Sequence, residues 1–167
     1  HGVGLPRAKR WLYDSGTHIP LIIRIPEAYR KPYQIKPGTT SEQLISSVDF
    51  CPTVMHLAGV PIPGHIQGQP FLGKHIPAPR QFVFGARDRM DERYDIIRMV
   101  RDKRFKYIRN YEPLKTFYQY MNTPEKGATM KELRRLHNTG NLLPFANAYF
   151  SPTKPNEELY DCNADPH

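Results

Sequence analysis

The chain has 167 residues, enough for one domain, or one domain and part of another, to bury a core without disulfide or metal crosslinks. Its 17 prolines, about twice the average share, exclude a helical bundle or coiled coil over most of its length. With 24 Lys and Arg against 16 Asp and Glu, the net charge of +8 indicates either an anionic partner or a basic solvated surface. Nucleic acid is disfavoured as that partner, because the arginine-rich stretch has no interleaved aromatic platform.

The first half of the chain predicts one strand and one helix. The nearly continuous apolar run at residues 19–25 predicts a strand that is buried on both faces. Residues 46–58 predict a helix, with Asp49 as its N-cap and Gly59 directly after its end. Cys51 falls on the apolar stripe of this helix, so we expect it to be a small buried hydrophobe.

The second half predicts three strands and a second helix. Two apolar-alternating runs flank Asp102 and Lys103, which is typical of a β-hairpin. Gly140 follows the helical pattern and predicts its end. The predicted elements are strands at 81–85, 94–101 and 104–111 and a helix at 129–137.

A segment rich in proline and glycine, residues 60–80, predicts a domain boundary. We therefore expect one domain over residues 1–80 and another over residues 81–167. The chain begins at His1 without a methionine, so we expect it to be an internal piece of a longer protein. Arg24 interrupts the apolar run of the first half, so the sequence predicts no membrane span.

Five segments, in chain order, carry a family resemblance. They are HG at 1–2 with LPRAK at 5–9 and LYDSGTHIPLII at 12–23; SVDFCPTVMHLAG at 47–59; GQPFL at 68–72; RMVRDKRFKYIRNY at 98–111; and ELYD at 158–161 with DPH at 165–167. Together they resemble the type I sulfatases of the alkaline-phosphatase-like superfamily, nearest the group of heparan N-sulfatase and the glycosaminoglycan sulfatases.

The resemblance implies an α/β fold of the alkaline-phosphatase-like type. Residues 1–80 would hold the last strand and helix of its large α/β domain. Residues 81–167 would form a small C-terminal antiparallel sheet with a packed helix. The implied activity of the whole enzyme is hydrolysis of sulfate esters or sulfamates on a sugar or glycosaminoglycan, in the periplasm, the lysosome or outside the cell.

The family's chemistry also implies that essential parts lie elsewhere. Type I sulfatases use Ca²⁺ and a formylglycine nucleophile, which is made from Cys or Ser in a C/S-x-P-x-R motif. This sequence lacks that motif. We therefore expect the nucleophile upstream, on an N-terminal part against which this chain packs, and we expect the chain alone to be inactive.

The resemblance also implies two site residues near the start of the chain. Lys9 stands where the family has a lysine that contacts the sulfate, a role that suits a compact ammonium with three donors. His1 stands at the family's metal site. Because Ca²⁺ prefers oxygen ligands, His1 is either a metal ligand or a hydrogen-bond partner of a sulfate oxygen.

The most charged segment, residues 85–95, has two interpretations. It is either a self-paired ion network or a loop at the pocket rim that meets the sulfated sugar through guanidinium groups. In the second interpretation the substrate-binding side chains are Arg87, Arg89 and Arg93.

Two other functions remain open from the sequence. One is a phosphonate monoester hydrolase or phosphatase of the same superfamily. The other is a non-catalytic anion-binding module that keeps the fold. The nucleophile motif outside this chain would discriminate between them.

Overall fold

The computed structural model describes residues 9–30 and 36–164, and these divide into two compact units. One unit takes in residues 21–83. The other joins the segment up to Pro20 to the residues from Phe84 onward. The division at 83/84 lies close to the boundary expected at 80/81, but the segment before Pro20 groups with the second half of the chain.

The unit that contains the second half is built on a four-stranded antiparallel sheet with the order β1-β2-β3-β4. Within this unit, helices connect β3 to β4, and one short helix lies in the segment before Pro20. The strands are β1 (Val83–Met90), β2 (Arg93–Arg101), β3 (Phe105–Asn110) and β4 (Glu157–Asp161), and the helices are α1 (Asp14–Thr17), α4 (Asn122–Glu125), α5 (Ala128–Asn138) and α6 (Pro144–Asn147).

The core of this unit lies on one face of the sheet. Side chains alternate along β2 and β3, so that Ile97, Met99 and Ile108 are buried on the same face. In the ladder, Met99 lies opposite Ile108. An aromatic segment from the start of the chain, Trp11 to Tyr13, packs on these residues and completes the cluster together with Phe117, Tyr149 and Tyr160.

A buried ion network holds this aromatic segment on the sheet. The Lys106 ammonium is 1% exposed, lies 2.5 Å from Asp14 Oδ1, and donates to the Leu12 carbonyl at 2.9 Å. Arg101 donates to both carboxylate oxygens of Asp14, at 3.1 and 3.0 Å. Burial alone would raise the pKa of Asp14, but the hydrogen bonds and charges of Arg101 and Lys106 outweigh it and lower that pKa.

Two predicted elements of this unit are confirmed. The hairpin of β2 and β3 turns at Asp102, whose carboxylate Oδ1 accepts the backbone N–H of Arg104 at 2.7 Å. The predicted helix at 129–137 is α5, which buries Met130 and ends before Gly140.

The unit of residues 21–83 contains the helices α2 (Glu27–Arg30) and α3 (Phe50–Leu57), with a 3₁₀ turn at Ser47–Asp49 before α3. The 46–58 helix is thereby confirmed, and Gly59, at φ +70, ends it in the left-handed conformation that glycine adopts at least cost. Asp49 is the N-cap residue of α3, as predicted, but its side chain makes no capping hydrogen bond to this helix. Its carboxylate instead accepts the backbone N–H groups of Ser46 and Gln69, both at 2.9 Å, and pairs with Arg80.

Two sequence expectations differ from the structure, and one strand was not expected. Residues 19–25 form no strand and are largely exposed, because a strand needs a hydrogen-bonded neighbour and no described segment pairs with them. Residues 85–95 are not a loop but the hairpin of β1 and β2. The strand β4 was not predicted from the sequence, and its pairing with β3 compensates for its weak apolar pattern.

The expectation that Cys51 is buried is also wrong. Cys51 is exposed, as are its neighbours Phe50 and Val54, so the described residues leave the apolar stripe of α3 uncovered. In the described part of the chain no helix is long and apolar enough to cross a bilayer.

Candidate functional site

An ion pair joins the Lys9–Arg10 segment to the turn between β1 and β2. Arg10 Nη2 lies 2.8 Å from Asp91 Oδ2. Both residues have positive φ, +85 for Arg10 and +51 for Asp91, a conformation that costs free energy in non-glycine residues. Among the described residues, His75 is the only other non-glycine residue with positive φ. The strained backbone is therefore concentrated where the two segments meet.

This ion pair brings three of the predicted site residues into one region. Lys9 is exposed and directly precedes Arg10 in the chain. Arg89 lies at the end of β1 and donates through Nε to the carbonyl of Asp91 at 3.1 Å. Arg93 opens β2, on the other side of the same turn. We call Lys9, Arg10, Arg89, Asp91, Glu92 and Arg93 the tip cluster.

The segment at residues 120–122 supports the tip cluster from the side. Arg93 donates through Nε to the carbonyl of Tyr120. The Glu92 carboxylate accepts the backbone N–H of Asn122 at 2.6 Å, and this hydrogen bond lowers the pKa of Glu92. The β1–β2 turn is thus fixed at two points.

The structure places Arg87 differently from the other two predicted arginines. Arg87 is 4% exposed on the core face of β1, and its guanidinium carbon lies 4.2 Å from the centre of the Trp11 ring. Among the described residues, its guanidinium nitrogens have no hydrogen-bond partner. Burial lowers the pKa of Arg87, while the charge of Asp95 opposes that shift. Arg87 therefore lies beneath the tip cluster, against the ring that follows Arg10, and does not face a rim.

The charges of the tip cluster favour an anion. The cluster contains four cationic side chains and two carboxylates, and both carboxylates already have partners: Arg10 for Asp91 and the Asn122 N–H for Glu92. Ammonium and guanidinium groups in this arrangement can bind sulfate or carboxylate groups by charge-assisted hydrogen bonds.

The predicted metal residue lies outside the described residues. His1 is among the residues that the structure does not describe. Residues 9–30 and 36–164 contain no group of three or more His, Cys, Asp or Glu side chains that could hold a metal ion. The described residues therefore do not fit a calcium site.

Sequence reasoning missed Arg10, Asp91 and Tyr120 as parts of this site. Only the fold brings Arg10 to Asp91, and no local pattern indicates that contact. One signal was available: the Asp91-Glu92 pair between two strand-forming runs indicates a turn. Nothing in the sequence indicates the positive φ of Arg10, a bulky residue in a glycine-rich stretch.

Comparison with known proteins decides the family. Residues 7–141 match the family model described as N-sulphoglucosamine sulphohydrolase, C-terminal. The chain belongs to this family. The resemblance to sulfatases is thereby confirmed, and the small antiparallel sheet with its helices agrees with the expected C-terminal part of the fold.

Curated sulfatases are similar to this sulfatase-family chain. An ulvan-active sulfatase of Formosa agariphila is 45% identical over 166 residues, which are 99% of this chain and 27% of that protein. An N-acetylglucosamine-6-O-sulfatase of Bacteroides thetaiotaomicron is 45% identical over 60 residues, 36% of this chain and 10% of that protein. A solved 2-O GAG sulfatase aligns with 71% of this chain and 18% of its own, at a TM-score of 0.41 and 24% identity.

The chain is short beside these relatives. It spans 27% of one ulvan-active sulfatase and 30% of a second one from the same organism, which is 32% identical over 174 residues.

Proposed function

We propose that the intact protein containing this chain is a sulfatase that hydrolyses sulfate esters or sulfamates on a sugar. Membership of the sulfatase C-terminal family supports the reaction, and relatives named as ulvan-active and N-acetylglucosamine-6-O-sulfatases support a saccharide substrate. The observation that carries the proposal to this chain's residues is the Arg10–Asp91 ion pair, which gathers Lys9, Arg89 and Arg93 in one cationic cluster.

Lys9 is the residue proposed to act on the reacting group. Its ammonium would donate hydrogen bonds to the sulfate oxygens and stabilise the negative charge that develops as the ester bond breaks. Arg89 and Arg93 would hold further anionic groups of the substrate. Arg87 would support this arrangement from below through Trp11, in place of the rim contact predicted for it.

The remaining components are proposed to lie on other parts of the intact protein. These are the formylglycine nucleophile and the Ca²⁺ ion, for which the described residues offer no site. His1 remains a proposed contact of the metal or the sulfate. A periplasmic, secreted or lysosomal location remains an inference from the family.

Exposed apolar side chains support packing against that other part. In the unit of residues 21–83, Ile22 is 92% exposed and Val54 65% exposed, beside the half-exposed Phe50. Apolar surface of this kind is typical of faces that another part of a protein covers. We propose that the N-terminal part of the same protein covers it.

The proposal is tested by assaying the intact protein on an aryl sulfate, a sulfated oligosaccharide and an aryl phosphate. We expect release of inorganic sulfate from both sulfated substrates and at most weak release of phosphate. Efficient phosphate release without sulfate release would instead assign the protein to the phosphatases of the superfamily. If the protein hydrolyses none of the three substrates but binds the sulfated oligosaccharide, it is instead a non-catalytic anion-binding module.

A further inference from the structure

Tyr120 is an exposed aromatic ring that its neighbours hold in place. It is 46% exposed, and its hydroxyl donates to Asn122 Oδ1 at 3.1 Å. Its carbonyl accepts the Nε–H of Arg93, and the next residue, Met121, is 3% exposed. An exposed ring fixed at both ends has little conformational freedom left to lose when a ligand binds.

Arg93 lies beside this ring. Its guanidinium carbon is 5.9 Å from the centre of the Tyr120 ring. Within the described part of the chain, Arg93 donates one hydrogen bond, to the Tyr120 carbonyl, which uses one of its five guanidinium N–H donors. The others remain to bind an anionic group next to the ring.

The charge around the pair favours an anionic ligand. Glu92, the nearest acid in sequence, is occupied by the backbone N–H of Asn122 at 2.6 Å. Asp91 is occupied by Arg10 at 2.8 Å. The exposed ring of Tyr120, with the Arg93 guanidinium over one face, thus combines an apolar platform with an anion site.

A sulfated sugar ring has this combination of surfaces. The axial C–H groups of a pyranose form an apolar face that packs on an aromatic ring, and the oxygens of a sulfate ester accept hydrogen bonds from the planar guanidinium fork. We infer that Tyr120 and Arg93 form a saccharide subsite, in which Tyr120 stacks on a sugar ring and Arg93 binds its sulfate group. The inference rests on the proposed function, which it deepens by assigning a second contact for the saccharide chain.

Tyr94 provides a matched control on the same strand. It is 50% exposed and also has a cation on its ring, with Lys115 Nζ 4.9 Å from the ring centre. Side chains of consecutive strand residues point to opposite faces, so Tyr94 does not share the face of Arg93. Loss of Tyr94 removes the same amount of aromatic surface at a place outside the proposed subsite.

The experiment measures equilibrium binding by calorimetry, with the intact protein and a sulfated oligosaccharide or its chemically desulfated counterpart. We expect Tyr120→Ala to weaken binding of the sulfated oligosaccharide about tenfold, the scale of one aromatic contact. Tyr120→Phe should bind like the wild type. Arg93→Gln, which can still donate to the Tyr120 carbonyl, should bind the desulfated oligosaccharide like the wild type and lose part of the preference for the sulfated one, because Lys9 and Arg89 remain. Tyr94→Ala should leave binding unchanged.

Each result decides the inference. Wild-type affinity in both Tyr120→Ala and Arg93→Gln overturns it, and so does an equal loss in Tyr94→Ala. If Tyr120→Ala does not fold, as judged by circular dichroism and Tm, the sulfate preference of Arg93→Gln decides alone. Turnover of an aryl sulfate by the wild type, measured in parallel, tests the proposed function separately. Binding that depends on Tyr120 without turnover would retain the subsite and reject the sulfatase activity.

Discussion

At the scale of single residues, the ion pair of Arg10 and Asp91 organises the candidate site. The pair is partly exposed, with 17% of the Arg10 side chain and 37% of the Asp91 side chain accessible. Exposed pairs of this kind contribute only about 0–1 kcal/mol to stability. The main role of the ion pair is therefore to position Lys9, because it fixes the following residue, Arg10, to the β1–β2 turn.

Replacing Asp91 separates its charge from its backbone conformation. Asparagine tolerates positive φ, so Asp91→Asn keeps the turn and removes the pairing charge. We expect kcat/KM for an aryl sulfate to fall several-fold in the intact enzyme, with Tm almost unchanged. Asp88→Asn is the control, because it breaks another exposed pair, Asp88–Arg98 at 2.7 Å, elsewhere on the same hairpin. Equal kinetics in the two variants would show that the pair does not position Lys9.

The pKa shift of Asp14 predicts a pH dependence of stability. The pKa of Asp14 is lowered in the folded state, so its ionised carboxylate stabilises the fold above its ordinary pKa of 3.8. That stabilisation is lost as the pH falls through the lowered folded-state value. Burial lowers the pKa of Lys106, although the hydrogen bond and charge of Asp14 oppose that shift.

We therefore expect the free energy of unfolding to decline below about pH 4, and Asp14→Asn to be less stable at pH 7 with a flatter acid limb. Denaturant titrations between pH 2 and 7 measure both quantities. If the stability of Asp14→Asn declined at acid pH as steeply as that of the wild type, the pH dependence would not come from Asp14.

At the scale of elements, Asp49 determines how α3 begins and how the following loop returns. Its side chain is 1% exposed and is bound by Ser46, Gln69 and Arg80, which lie before and after the helix. Removal of one partner of a buried ion pair leaves the other charge uncompensated, at a cost of about 3–5 kcal/mol.

Asp49→Ala should accordingly destabilise the unit of residues 21–83 by about 3–5 kcal/mol. Hydrogen exchange of the backbone N–H groups of Ser46 and Gln69 reports the loss locally, while thermal unfolding reports the total. Asp88→Ala, an exposed aspartate with one arginine partner, is the control and should cost less than about 1 kcal/mol. A loss of that small size in Asp49→Ala would show that the pair is not structural.

Elements with local signals could be predicted from the sequence, and elements that depend on distant partners could not. The β2–β3 hairpin and α5 carry their turn and helix patterns within a few residues. By contrast, β4 forms through its pairing with β3, in which Leu159 lies opposite Tyr107, and residues 19–25 form no strand although their composition favours one. The candidate site follows the same rule: family motifs indicated Lys9, but its proximity to Arg89 and Arg93 depends on the pairing of Arg10 with Asp91.

At the scale of the whole molecule, we propose that the chain is one part of a larger sulfatase. It holds the cationic tip cluster, and its described residues hold no metal-binding group. Two sulfatase relatives match 99% of the chain, and each is more than three times as long as the chain.

The chain alone should therefore release no sulfate from an aryl sulfate, because the proposed nucleophile lies elsewhere. A sensitive assay of the purified 167-residue polypeptide, with the intact protein as positive control, measures this. Turnover by the chain itself would show that it contains a nucleophile that the proposed mechanism does not include.

The most direct test of the central claim compares Lys9→Ala with Lys103→Ala in the intact protein. Both variants remove one exposed lysine, but Lys103 lies at the β2–β3 turn, outside the tip cluster. Loss of one donor to the developing charge should lower kcat/KM for an aryl sulfate by about 10²-fold or more in Lys9→Ala. Lys103→Ala should retain the wild-type value. Equal kcat/KM in Lys9→Ala, Lys103→Ala and the wild type would contradict the assignment of Lys9 to the sulfate and, with it, the proposed site.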